Sequence, residues 1–260
     1  MQLPLTLVTW NVNSIRVRLE HVLRWLGDHR PDVLCLQETK VPDDQFPADA
    51  FTQAGYQSAY RGQQTYNGVA ILSRHPVDDV AVGFDGKDQE EQKRLIAGTV
   101  RGIRIVNAYV PNGSAPDSDK FPYKLDFMAK LKDYLARQHQ PGQPLALVGD
   151  FNAAMAALDV YDERALEGSV CYHPDERKRM GSLLDWGLTD AFRALHPEEQ
   201  AFSWWDYRGG SFRKNEGLRI DHIWVTEPLA RRTVACWIDR DERAEEQASD
   251  HVPVVATFTS

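Results

Sequence analysis

About ten short runs of β-forming residues, each closed by a polar or turn-forming residue, recur along the whole chain, and this pattern constrains the fold more than any other feature. They are LTLVTW from Leu5, DVLCLQ from Asp32, GVAILS from Gly68, RLIAGTV from Arg94, IRIVNAYV from Ile103, LALVGD from Leu145, AFSWWDY from Ala201, LRIDHIWV from Leu218, RRTVACWI from Arg231 and VPVVATF from Val252. Several, LALVG among them, are apolar on successive residues, the pattern of strands covered on both faces. Helices are the natural cover. Residues 17–29 place Leu19, Val22, Leu23 and Leu26 on one stripe, with Pro31 as the stop. A second helix starts near Ser118 or Asp119, sets Leu125, Met128, Leu131 and Leu135 on one face, and ends before Pro141-Gly142. A third spans residues 174–186, with Leu183 and Leu184 inward and Glu176, Arg177 and Lys178 toward water. No low-complexity linker or internal repeat interrupts the pattern, which predicts a single α/β domain over residues 1–260 with two packed sheets and outer helices.

A chain of 260 residues buries enough surface on folding, roughly 70–75%, to dispense with disulfides or a structural metal. Its three cysteines, Cys35, Cys171 and Cys236, are far apart and form no metal-binding or C-x-x-C spacing, which points to a reducing, cytoplasmic setting. The opening MQLPLTLVTWNVN has no basic segment, and Pro4 and Thr6 break its apolar stretch, so no signal peptide is expected. The longest apolar stretches, residues 145–148 and 252–256, fall far below the ~18 residues of a membrane span. Thirty Lys and Arg against thirty-eight Asp and Glu leave a net charge of −8, which excludes a generally basic nucleic-acid coat or an anionic-membrane binder.

The chemistry-bearing residues sit at strand ends. Asn11 and Asn13 follow the first strand, Glu38 follows VLCLQ, Tyr109 and Asn112 end IVNAYVPNG, and Asp150 and Asn152 end LALVGDFN. Asp221 lies within LRIDHIW, and Asp250-His251 precedes the last strand. Taken singly, Asn and Asp here read as turn formers, Glu38 as a solvated charge, and Tyr109 as a core aromatic. Together, at one end of a sheet sandwich, they suit phosphate-ester hydrolysis. A hard cation such as Mg²⁺ takes oxygen ligands and few protein carboxylates, a role that Glu38 fits. An ionised Asp150 oriented by Asn152 can deprotonate a water, and His251, Asn152 and Tyr109 can donate to phosphate oxygens. Either Asp250 or Asp221 can hold the imidazole, and the sequence leaves both open. The chain has no P-loop, no G-x-S-x-G elbow and no H-E-x-x-H, while the charge run at residues 175–179 reads as a wet helix face.

The stretches TWNVNSIRVRL, PDVLCLQETK, TYNGVAILS, NAYVPNG, LVGDFN, LLDWGLTDAFR, FSWWDYR, GLRIDHI and SDHVPVVATF occur in this order almost end to end. Together they resemble the exonuclease III type of apurinic/apyrimidinic (AP) endonuclease, within the endonuclease/exonuclease/phosphatase superfamily. The resemblance implies a four-layered α/β sandwich, with two packed mixed β-sheets flanked by helices. It implies Glu38 as principal Mg²⁺ ligand, with Mn²⁺ as a substitute, and Asn11, Asn13 and Asp250 at the metal site. Asp150 would activate the water, Asn152 place it, Tyr109 and His251 contact the phosphate, and Asp221 and Asp250 act as supporting carboxylates. Asn112 would lie close to the cleaved linkage. Trp204 and Leu218 would wall a pocket for a flipped-out abasic sugar, bordered by residues 166–173. Since adjacent strand residues face opposite ways, at most one of Trp204 and Trp205 can point into that pocket.

Arg61, Tyr66 and Asn67 match a DNA-backbone contact loop. The implied partner is double-stranded DNA with abasic sites or blocked 3′ ends; separately, no exposed apolar helix stripe announces an interface, so a monomer is expected, and no membrane partner is expected. The implied reaction is hydrolysis 5′ to the abasic site, with 3′→5′ exonuclease and 3′-phosphatase or phosphodiesterase action at the same site. A superfamily enzyme acting on RNA tails, phosphoinositides or sphingomyelin is the nearest rival, and a catalytically dead DNA-binding module the next. On the DNA reading the charge of −8 is uneven. Residues 239–250 carry −4 and residues 85–91 carry −3, whereas residues 206–219 carry +2 and form the expected basic rim of a salt-sensitive cleft.

Overall fold

A computed structural model describes residues 4–86 and 92–259. The first three residues of the opening stretch and residues 87–91, which hold most of the acidic segment at 85–91, lie outside the described residues. The strands are β1 (Leu5–Asn11), β2 (Val33–Gln37), β3 (Gln57–Arg61), β4 (Val69–Ser73), β5 (Asp78–Val82), β6 (Leu95–Val100) and β7 (Ile103–Tyr109). They continue as β8 (Leu145–Asp150), β9 (Leu188–Asp190), β10 (Trp204–Trp205), β11 (Gly217–Leu218), β12 (Asp221–Thr226), β13 (Thr233–Ile238) and β14 (Val254–Phe258). The three long helices are α1 (Ile15–His29), α2 (Lys120–Gln138) and α3 (Pro174–Leu184).

Two six-stranded sheets form, ordered β13-β14-β1-β2-β4-β3 and β5-β6-β7-β8-β12-β9. Each has one parallel pair near its centre, β1 with β2 and β7 with β8, among otherwise antiparallel neighbours. Alternation along each strand assigns the layers. Leu5, Leu7, Val33 and Cys35 meet Ile103, Ile105, Ala146 and Val148 between the sheets. The intervening Val8, Trp10, Leu34 and Leu36 point outward to Val22, Trp25 and Leu26 of α1. Val106, Leu145, Leu147 and Trp224 pack against Met128, Leu131 and Leu135 of α2 and Met180 and Leu183 of α3. The result is the expected sandwich of helix, sheet, sheet and helix. In the described residues no helix is long and apolar enough to cross a membrane.

Buried amides cross the inter-sheet layer. Gln37 Nε2 donates to Asn107 Oδ1 at 2.8 Å and to Thr9 Oγ1 at 2.9 Å. Asn107 Nδ2 donates back to the Leu36 and Ala70 carbonyls at 3.0 and 2.9 Å. All three side chains are fully buried. Apolar packing tolerates sliding between two sheets, whereas these bonds exist in one alignment only.

Several sequence expectations need correction. β3, β5 and β9 lie outside the ten predicted runs, because strands at sheet edges carry too few buried residues to form an apolar run. The run LRIDHIWV is broken into β11 and β12: Arg219 is withdrawn into ion pairs with Asp159 and Asp190, both at 2.8 Å. AFSWWDY contributes only two strand residues. On α3, Glu176 does not face water but is fully buried, ion-paired with the equally buried Lys124 of α2.

Asn107→Leu should cost about 2–3 kcal/mol in urea unfolding, since it strips Gln37 of its partner inside the core. Combining it with Gln37→Leu should cost less than the two single losses added, as a double-mutant cycle would measure.

Candidate active site

Because β1 and β2 run parallel, as do β7 and β8, their C-terminal ends reach one rim. The register aligns Asn11 with Gln37 and Tyr109 with Asp150. β12 runs antiparallel to β8 and starts at the rim, setting Asp221 opposite Asp150. Past the strand ends the chain turns sharply: Asn13, Glu38 and Asn152 adopt φ of 44°, 54° and 48°. For Glu38 this left-handed conformation is costly, and the surrounding bonds hold it there.

Tyr109 donates its hydroxyl to Glu38 Oε1 at 2.8 Å, and Asn11 Nδ2 bridges Glu38 Oε1 at 2.9 Å and Asp150 Oδ2 at 2.8 Å. Asp150 also accepts from the Asn152 backbone at 2.7 Å and from Asn152 Nδ2 at 3.1 Å. Asn112 Nδ2 donates to Asn152 Oδ1 at 3.0 Å. The imidazole of His251 lies between two carboxylates, 2.8 Å from Asp221 Oδ2 through Nδ1 and 3.7 Å from Asp150 Oδ2 through Nε2. Of the two candidate partners for this ring, the structure selects Asp221. Asp250 accepts instead from Asn13 Nδ2 and Trp204 Nε1, both at 3.0 Å.

Burial and charge set the protonation states. Burial works against the His251 cation, but Asp221 and Asp150 outweigh it and push its pKa up to about 10, so the ring is an imidazolium at neutral pH. Burial and the nearby Asp221 push Asp150 up to about 7, against the pull of His251. Burial would also raise Glu38, yet the Lys40 ammonium at 2.7 Å and the Asn11 amide hold it below its usual range. Tyr109 is raised well above its ordinary value by burial, Glu38 and Asp150, and stays a hydrogen-bond donor.

Two hollows open beside this rim. One, of about 520 Å³, is bounded by Glu38, Asn152 and His251 on the chemical side and by Leu166, Val170, Cys171, Trp204 and Leu218 on the apolar side. Trp204 reaches it while Trp205 is fully buried, as the strand alternation requires. The other, of about 410 Å³, shares Tyr109 and Asn112 with the first and adds Tyr66, Asn67, Arg94 and Lys120. Arg61 stands apart, paired with Asp43 at 3.0 Å and lining neither hollow. The basic rim at residues 206–219 is weaker than its sequence suggests, because Arg219 is buried between Asp159 and Asp190 and unavailable to a ligand.

Sequence reasoning missed two contributors. Lys40, inside the quoted QETK stretch, joins Glu38 Oε2 to Asn13 Oδ1 at 2.5 Å. Ser203 donates to Asp221 Oδ2 at 2.7 Å, and its only signal is a hydroxyl within an aromatic run. Cys171 forms part of the apolar wall, inside the stretch 166–173 that the resemblance sets beside the pocket.

Glu38, Asn11, Asn13 and Asp250 offer carboxylate and amide oxygens and no sulfur or imidazole, a donor set suited to a hard divalent cation. Asp150, Asp221 and His251 bring ligand atoms within 4.8 Å of one another, but there the imidazolium already compensates the carboxylates.

Comparison with known proteins places the chain in a family. The sequence profile of the Endonuclease/Exonuclease/phosphatase family matches residues 8–251. Exodeoxyribonuclease III of Haemophilus influenzae is 36% identical over 263 residues, covering 96% of this chain and 98% of that protein. The 3′ phosphatase NExo from Neisseria, solved bound to a product DNA hairpin, superimposes with a TM-score of 0.94 at 42% identity, over 98% of this chain and 100% of its own. An AP endonuclease from Archaeoglobus fulgidus gives the same TM-score, 0.94, at 39% identity, over 98% and 99% of the two chains. The chain therefore belongs to the endonuclease/exonuclease/phosphatase family, in its exonuclease III group of AP endonucleases.

Proposed function

We propose that this enzyme is a divalent-metal-dependent DNA-repair nuclease that hydrolyses the phosphodiester 5′ to an abasic site, leaving a 3′-hydroxyl and a 5′-deoxyribose phosphate. The observation that carries the reading is the His251 ring set between Asp150 and Asp221, at the chemical edge of a hollow whose far wall is apolar. In this reading Asp150 takes a proton from a water held by Asn152, and the resulting hydroxide attacks phosphorus as the bond to the 3′-oxygen breaks. His251, Tyr109 and Asn152 donate to the non-bridging oxygens, where charge grows. Asn112, held against Asn152, would lie next to the leaving 3′-oxygen, which takes a proton from water to become the 3′-hydroxyl. Asp221 keeps His251 protonated and oriented, and Ser203 keeps Asp221 in place. Glu38, with Asn11, Asn13 and Asp250, would hold Mg²⁺, or Mn²⁺ in its place, and such an ion supplies positive charge beside the phosphate.

Trp204 and Leu218, with Val170 and Leu166, would enclose the abasic sugar. A nucleotide without a base is cheap to extrude, and an apolar wall offers nothing to the edge of an intact base. Tyr66 and Asn67 in the neighbouring hollow would follow the DNA backbone, with Arg61 at its outer margin. Blocked 3′ ends present the same phosphate to the same groups, so 3′-phosphatase, 3′-phosphodiesterase and 3′→5′ exonuclease action belong to one site. The enzyme would act as a cytoplasmic monomer.

A duplex carrying one abasic analogue should be cut 5′ to the lesion in Mg²⁺ or Mn²⁺ and left intact in EDTA, resolved by gel electrophoresis; cutting that survives EDTA overturns the metal dependence. Asp150→Asn should lower turnover by about 10³-fold while DNA affinity, measured by fluorescence anisotropy, is retained. Loss of affinity instead would make that carboxylate structural.

A further inference from the structure

We infer that the buried Lys124–Glu176 ion pair is a positioning device that holds three separate loops of the active site at a fixed spacing, and that it acts on both turnover and substrate discrimination. The pair lies behind the site, and neither side chain has any exposed surface. Lys124 Nζ donates to the carbonyl of Asn112 at 3.0 Å, to the carbonyl of Asn152 at 2.7 Å, and to Glu176 Oε1. Glu176 accepts in turn from the backbone of Cys171 at 3.2 Å through Oε1 and from that of His173 at 3.0 Å through Oε2. One ammonium thus fixes the two loops bearing the amides at the scissile phosphate, and one carboxylate fixes the loop that forms the opposite wall of the hollow.

Three details show that this spacing is imposed. Cys171 sits at φ 70°, a conformation a non-glycine residue keeps only when its surroundings enforce it. Gly113, at φ 90°, lets the Asn112 loop close on Lys124, since a Cβ there would stand 3.0 Å from Lys124 Cδ. The Asn112 amide spans the gap the pair defines, reaching Asn152 Oδ1 at 3.0 Å and Cys171 Sγ at 3.8 Å. A buried ion pair returns little net stability against apolar residues of the same volume, but it fixes geometry through its hydrogen bonds. A shift of about 1 Å in Asn152 relative to Asp150 is enough to cost 10²-fold in rate. A wall that drifts outward admits an intact nucleotide.

The mechanism assigned to Asn112 and Asn152 here rests on the nuclease reading above, and the test separates the two. Lys124→Met leaves Glu176 buried and unpaired, while Lys124→Met with Glu176→Gln removes the charge and restores a neutral, similarly sized core. Turnover on the abasic duplex should fall about 10²-fold in Lys124→Met with KM little changed. In the double variant the melting temperature should return toward that of the parent while turnover stays low, because the Asn112 and Asn152 carbonyls still lack their donor. The ratio of cutting at abasic sites to cutting at intact nucleotides should fall in both. Independently of catalysis, alkylation of Cys171 should speed up at least about tenfold while Cys35 and Cys236, buried in the core, stay protected. Turnover that recovers together with stability, or all three thiols becoming reactive together, would show the pair to be ordinary core and overturn the inference. A parent protein that leaves abasic DNA uncut would sink the nuclease reading alone, and the thiol measurement would still decide for or against the pair.

Discussion

The two amides that bond across the sheet interface, Gln37 and Asn107, set the alignment on which the rest of the site depends. Each lies just beneath a side chain of the candidate site: Gln37 precedes Glu38, and Asn107 is two residues before Tyr109 on the same face of β7. Glu38 and Tyr109 come from different sheets, so their 2.8 Å contact requires the sheets to be aligned to a fraction of an ångström. Interdigitated Val, Ile and Leu side chains fix the distance between layers well and the lateral alignment poorly. A buried amide pair is intolerant in the lateral direction, because every misaligned state leaves donors and acceptors unpaired in a dry core.

Charge is distributed along the rim in compensated groups. His251 serves Asp221 and Asp150, Lys40 serves Glu38, and Asn13 links Lys40 to Asp250. Two buried carboxylates, Asp150 and Asp221, and two half-buried ones, Glu38 and Asp250, can therefore share one cleft. The net charge of −8 misrepresents this surface in both directions. Several of its acids are internal and neutralised, and Arg219, counted as part of a basic rim, is spent on Asp159 and Asp190.

The central strands and the rim residues are legible in the sequence because both follow from local rules. A strand buried on two faces must be apolar on consecutive residues, and a parallel pair must deliver its C-terminal residues to one edge. Asn11, Glu38, Tyr109 and Asp150 stand out on that ground. Edge strands such as Gln57–Arg61 and Asp78–Val82 do not, because half-exposed residues leave no apolar run. The choice of Asp221 over Asp250 as partner of His251 is a matter of packing between distant strands, and adjacency in sequence points to the wrong neighbour with equal force. Glu176 shows the limit most clearly. On a helix between Asp175 and Arg177 it reads as solvated, and only the arrival of Lys124 from another helix makes its burial possible.

The pairing of β1 with β14 joins the two ends of the chain at the centre of a sheet, Leu5 beside Phe258 and Thr9 beside Val254. The same closure completes the rim, where Ser249 donates to the Asn11 carbonyl at 2.7 Å and Trp10 donates to that of His251 at 3.2 Å. Glu38, Tyr109 and Asp150 therefore come from the interior of the chain, whereas the histidine between the carboxylates arrives with the strand that closes the sheet. One segment thus does two jobs: without it β1 would lose its antiparallel partner, and Asp150 and Asp221 would lose the ring between them.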